Sequence, residues 1–313
     1  MRMGEYIKPF EGPLEQFPED EELPKGVKCI RLKDTYGPYG TDFRMMVYAE
    51  RDHEQLKVGV LMPVEGNPND PQRTYPLIVF VQGSAFHRQF MFDHMPTMLR
   101  VCEKGFAVAF VQYRPSEVAP FPAQTQDAKT AIRFLKMHAG ELRINPDRIA
   151  LWGDSSGAHT AVMAGITGDG VLDTELYNRY SCSVRCIVDW YGPTDISRMN
   201  EQPSTQDHAA AESPEGFLIG RRNVLENPKL AAATVPMNYL SADRPTPPIL
   251  IMHGSRDHLV CFRQSCLLYE KLRSLGKDVE MYKVMGAYHA FGGFLSDEAA
   301  DIVLEFIRRK LGE

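Results

Sequence analysis

Apolar residues along this chain fall into eight short runs, each bounded by turn-forming residues. They lie at 43–49, 56–62, 77–82, 106–113, 149–152, 186–190, 249–253 and 279–285. Runs of four to eight apolar residues ending at Gly, Pro, Asn or Asp predict buried strands. A weaker run at 27–32 predicts an extra N-terminal edge strand. Between the later runs the period changes to that of a helix. Ala128, Ala131, Ile132, Leu135 and Met137 recur at helical spacing within 123–138, and 266–275 and 297–311 behave likewise. Ser296 stands as an N-cap before acids and the last helix ends in Arg308-Arg309-Lys310, as the helix dipole favours. Strands alternating with helices predict an α/β fold, a mostly parallel sheet covered on both faces. The first two runs have no helix between them and predict an antiparallel edge.

The segment 195–246 fits no strand position. Its length and its Phe217, Leu218, Ile219, Leu225 and Met237 predict short helices forming a cap, since an insertion this long is rarely bare loop. The first 24 residues, rich in Glu, Asp and Pro, predict a solvated arm. The expected organisation is an arm at 1–24 and a catalytic domain at 25–313 that carries the cap.

Composition narrows the function. A chain of 313 residues with 43% hydrophobic residues can bury one large core. Its 35 basic and 41 acidic side chains give a net charge of −6, which disfavours nucleic acid as a partner. The N-terminus shows no secretory pattern, and no run approaches the 18 apolar residues of a membrane span. Cys29, Cys102, Cys182, Cys186, Cys261 and Cys266 lack zinc-site spacing and read as reduced side chains. The expectation is a cytoplasmic protein with no metal, no organic cofactor and no membrane partner; a homodimer stays open.

The fifth run ends in Gly153-Asp154-Ser155-Ser156-Gly157, followed by small residues. Gly-x-Ser-x-Gly between a strand and a helix predicts a sharp turn that pushes the Ser155 hydroxyl out as a nucleophile. A serine hydroxyl needs a histidine to take its proton and a carboxylate to orient that histidine. Asp257 follows the seventh run and His289 the eighth, so all three lie past strand ends, where α/β sheets place their sites. Asp189 and Asp195 compete for the acid, and His87, His159, His253 and His258 for the base. Asp154 reads as a structural hydrogen-bonder.

Eight segments in order resemble the α/β-hydrolase esterases. They are Val79–Phe86, Gln112-Tyr113-Arg114, Pro120–Ala123, Asn145–Ile149, the 153–157 turn, Tyr191-Gly192-Pro193, His253–Asp257 and Gly286–His289. The closest likeness is to feruloyl and acetyl-xylan type carbohydrate esterases and hormone-sensitive-lipase-like carboxylesterases. The resemblance implies hydrolysis of short-chain esters, including acetyl or hydroxycinnamoyl esters of carbohydrates, by Ser155, Asp257 and His289. It also implies an oxyanion hole from the backbone N–H groups of Ser84, Ala85 and Ser156. Relatives carry His-Gly-Gly-Gly or His-Gly-Gly-Ala where this chain has Gln82-Gly83-Ser84-Ala85. Ser84 is therefore expected to narrow the approach for bulky alcohols. Phe86, Trp190 and Tyr191 are expected to line the substrate pocket, and Tyr113-Arg114 to buttress the oxyanion loop. A prolyl-oligopeptidase-like peptidase and a non-catalytic binding protein on the same fold remain as alternatives.

Overall fold

The computed structural model describes residues 8–13, 16–18, 24–30, 38–65 and 73–312. The chain divides into two compact units, Met1–Thr35 and Tyr36–Glu313. In the first, the rings of Phe10 and Phe17 meet edge to face at 5.3 Å. Residues 27–30 there are irregular, with Val27 and Ile30 exposed, so the described part of the expected edge strand does not form. Among the described residues these positions have no ladder partner, and a lone strand cannot satisfy its backbone groups. Residues 31 and 32 of that run lie outside the described residues, as does most of the acidic arm.

The second unit is built on one eight-stranded sheet. Its strands are β1 (Pro38–Arg51), β2 (Glu54–Glu65), β3 (Tyr75–Val81), β4 (Ala107–Val111), β5 (Ile144–Asp154), β6 (Cys186–Trp190), β7 (Ile249–Gly254) and β8 (Val279–Val284). Their order in space is β1-β2-β4-β3-β5-β6-β7-β8. β1 pairs antiparallel with β2, and β2 with β4; every later pairing is parallel. This is the α/β-hydrolase fold. The central strands are buried along their whole length, which is why they read as continuous apolar runs rather than alternations.

Among the described residues seven α-helices are interleaved with the strands: α1 (Met95–Glu103), α2 (Ala123–Met137), α3 (Ser155–Thr167), α4 (Pro214–Leu218), α5 (Pro228–Ala233), α6 (Arg263–Ser274) and α7 (Asp297–Leu311). They cover two cores. On one side Val79, Val81 and Leu151 pack with Ala128, Ile132 and Leu135 of α2. On the other, Phe80, Trp152 and Trp190 pack with Val303, Leu304 and Ile307 of α7. Ser296 caps α7 by accepting the Ala299 N–H at 3.2 Å, and Gly312 ends the helix in the left-handed conformation. Residues 195–246 hold α4, α5 and two short 3₁₀ turns, Ile196–Glu201 and Pro236–Tyr239. Among the described residues no helix is long and apolar enough to cross a membrane.

Candidate active site

β5 and α3 meet at Ser155, whose backbone is left-handed at φ 50°. A serine holds that conformation only where its surroundings force it. The force comes from close backbone packing. A Cβ at Gly157 would stand 2.0 Å from the Val81 carbonyl oxygen, and one at Gly153 2.4 Å from that of Gly157. The two glycines thus let the turn press onto the end of β3, which leaves the Ser155 hydroxyl facing a cavity.

His289 Nε2 lies 2.9 Å from Ser155 Oγ, and His289 Nδ1 lies 2.7 Å from Asp257 Oδ2. The three side chains named from the sequence therefore form one hydrogen-bonded line from acid to hydroxyl. Asp257 is held on every side. Its Oδ1 accepts the Leu259 and Val260 amides at 3.0 and 2.9 Å, and His253 Nε2 stands 3.2 Å from Oδ2. Burial alone would raise its pKa. The hydrogen bonds from His253 and His289 and their positive potential win, and hold the carboxyl well below the usual range. It is a carboxylate at neutral pH, the form that orients an imidazole.

The other candidates have different work. Asp189 is fully buried within β6 and accepts the Gly192 amide at 2.9 Å. Asp195 caps the first 3₁₀ turn through the Ser197 amide. His159 bonds the Thr234 carbonyl at 2.8 Å, and burial pulls its pKa down to about 4. His253 is buried, with Nδ1 2.7 Å from Ser265 Oγ. His87 pairs with Glu117, and the His258 ring lies 6.1 Å from that of Tyr288.

The loop after β3 takes its shape from polar side chains. Asp154 Oδ1 accepts the Gly83 amide at 2.8 Å, while Oδ2 faces His94 Nε2 at 3.4 Å. Gln89 Nε2 donates to the carbonyls of Gln82 and Val111, and its Oε1 accepts the Tyr113 amide. Tyr113 OH lies 2.9 Å from Ser84 Oγ and 3.3 Å from Ser156 Oγ, and burial pushes its pKa up to about 12. Arg114 is locked to Asp127 by two 2.8 Å bonds.

One expectation changes here. The Ser84 amide donates to Ser156 Oγ at 2.8 Å, so it is already used and cannot also serve an oxyanion. Ser84 Oγ donates to the His87 carbonyl at 2.6 Å, which braces the loop, while Ser84 stays in the cavity lining. Ala85, with φ 54°, and Ser156, in the first turn of α3, have amides with no partner among the described residues.

A cavity of about 490 Å³ opens beside Ser155 and His289. Phe86 is part of its wall, buried against the His159 ring at 5.3 Å. Trp190 is not. It is fully buried between Trp152 and Phe294, because the last residue of β6 turns its side chain into the core. Tyr191 is also outside the lining; its ring stands edge to face with His289 at 4.8 Å and fixes that imidazole. Gln206, His208, Pro214 and Glu215 close the cavity from the 195–246 segment. Gln89, His94, His208 and Glu215 had no sequence signal, since each acts through a contact distant in sequence or set in irregular chain. Among the described residues no cluster of three or more His, Cys, Asp or Glu side chains could hold a metal.

Comparison with known proteins fits this geometry. A family model described as BD-FAE matches residues 66–272. Esterase LipQ of Mycobacterium tuberculosis is 26% identical over 223 residues, which cover 71% of this chain and 51% of that protein. The chain spans about half the length of the curated relatives it matches. Among solved structures, a truncated form of a carbohydrate esterase from gut microbiota superposes with a TM-score of 0.75 at 26% identity, covering 90% of this chain and 99% of that one. A bifunctional GH43-CE protein of Bacteroides eggerthii gives 0.72 at 28% identity, covering 85% of this chain and 38% of that one.

Proposed function

The chain belongs to the BD-FAE family, and from that premise we propose that it is a serine esterase acting on short-chain carboxylic esters, acetyl or hydroxycinnamoyl esters of carbohydrates among them. The observation that carries the reading is the line Asp257–His289–Ser155, with bonds of 2.7 and 2.9 Å, beside two unpartnered amides. Relatives named esterases and carbohydrate esterase support it.

In this mechanism Ser155 Oγ attacks the ester carbonyl carbon while its proton passes to His289 Nε2. Asp257 keeps the Nδ1 proton of His289 pointed at itself and stabilises the imidazolium. The carbonyl oxygen becomes an oxyanion held by the Ala85 and Ser156 N–H groups, with the positive end of α3 behind Ser156. The carbon–oxygen bond to the alcohol then breaks, and His289 returns the proton to the departing oxygen. Water repeats the sequence on the acyl-enzyme and frees the acid. Residues 195–246 act as the cap over this site.

The cavity must hold both halves of the ester in about 490 Å³. Acetyl to butyryl p-nitrophenyl esters are expected to have higher kcat/KM than the dodecanoyl ester. Faster turnover of the dodecanoyl ester would overturn the short-chain assignment.

A further inference from the structure

Glu215 and His208 form a buried ionic pair that the hydrolytic steps do not use. They are 3% and 2% exposed, and both line the cavity that holds Ser155 and His289. His208 Nδ1 and Glu215 Oε2 are 3.0 Å apart, yet neither atom is aligned in a hydrogen bond. Among the described residues His208 is the one side-chain partner of the Glu215 carboxylate. A carboxylate can accept several hydrogen bonds, so one held by a single partner in a cavity wall has acceptor capacity left for a donor from a ligand.

The pair's position says which half of the ester supplies that donor. His208 Nε2 bonds the Leu259 carbonyl at 2.9 Å, and Ser204 Oγ bonds the same carbonyl at 3.0 Å. Leu259 and Val260 are the residues whose amides hold Asp257. The pair is thus fastened to the acid loop, on the flank of the cavity that belongs to His289. His289 hands its proton to the departing alcohol, so this flank faces the alcohol half.

The charges say what kind of group fits. Among the described residues no Lys or Arg lines the cavity, whereas Asp93, Asp154 and Glu215 do, so an anionic alcohol part finds no fixed cation there. His208 is pushed up in pKa: burial opposes its charge, but the Glu215 carboxylate and the Leu259 carbonyl outweigh it. The histidine paired with the carboxylate offsets its charge, which does not favour a cationic ligand either. A neutral hydroxyl suits it, donating to the carboxylate in a charge-assisted bond.

We propose that Glu215, positioned by His208, is the specificity residue that binds hydroxyl groups on the alcohol half of the ester, so that esters of polyols are preferred. The proposal rests on the esterase reading above. It separates 1-acetylglycerol from propyl acetate, which share a carbon skeleton and differ only in hydroxyls. The wild type is expected to favour 1-acetylglycerol by tenfold or more in kcat/KM, the range set by one hydrogen bond to a charged group. Glu215→Gln is expected to shrink that ratio severalfold, and Glu215→Leu to bring it near one, mainly through KM. A ratio near one in the wild type, or an equal fall on both esters in the variants, would overturn the proposal in favour of a purely structural pair. Binding of uncleaved 1-acetylglycerol to Ser155→Ala is the second readout. Adding Glu215→Gln is expected to weaken it at least severalfold; unchanged affinity would also overturn the proposal. Absence of turnover of either ester by the wild type would count against the esterase reading instead, and the binding measurement would still decide the role of Glu215.

Discussion

Asp189 carries the clearest single-residue consequence outside the acid–base line. It is fully buried, its Oδ2 has no partner, and burial raises its pKa to about 6 despite the Gly192 amide and the His253 charge nearby. Its Oδ1 fixes the turn to Gly192, which carries Tyr191 at φ 46° against the His289 ring. The folded chain therefore binds a proton here more tightly than the unfolded chain, whose aspartates ionise near pH 4. As pH rises from about 4 to about 6, unfolding releases that proton and stability falls; above 6 the loss is complete. Asp189→Asn keeps the acceptor for Gly192 and removes the ionisation. Its stability relative to wild type is expected to be greater at pH 8 than at pH 4.5, by roughly 2 kcal/mol for a shift of this size. Urea unfolding at the two pH values measures this, and a difference independent of pH would show that Asp189 is not protonated in the native state.

At the scale of elements, the loop after β3 is the part whose behaviour the sequence misled most. Ser84 replaces a glycine of related loops, and its side chain was expected to crowd the reacting carbon. Its hydroxyl bonds the His87 carbonyl and Tyr113 OH, while the residue lines the cavity. Ser84→Ala is expected to lower stability by about 1 kcal/mol, the net worth of a hydrogen bond. The ratio of ethyl to tert-butyl acetate hydrolysis is expected to stay within about threefold of wild type. A tenfold change in that ratio would return the hydroxyl to the substrate wall. The central strands were legible because burial on both faces turns them into uninterrupted apolar runs, as in Leu77–Val81 and Ile249–Met252. The turn at Ser155 was legible because its glycines are demanded by local sterics. The use of the Ser84 amide by Ser156 Oγ was not, since it joins a backbone N–H to a hydroxyl 72 positions away. Trp190 misled because a strand's last residue can face core or cavity, and only the packing of Trp152 and Phe294 decides. Residues 27–30 carried apolar side chains but no partner strand, and pattern alone cannot supply one.

Across the whole molecule, the parallel sheet gathers at one edge what the chain spreads over 134 positions from Ser155 to His289. β5, β7 and β8 end side by side or one strand apart, so three loops converge without any local signal joining them. The segment between β6 and β7 adds Glu215 and His208 to the cavity that results. This architecture yields one claim above the others, that Ser155 is the nucleophile of an esterase. Steady-state hydrolysis of p-nitrophenyl acetate by Ser155→Ala, with its thermal unfolding matched to wild type, tests it most directly. The expected kcat is lower by roughly 10³-fold or more. A folded Ser155→Ala that hydrolyses the ester at near the wild-type rate would contradict it.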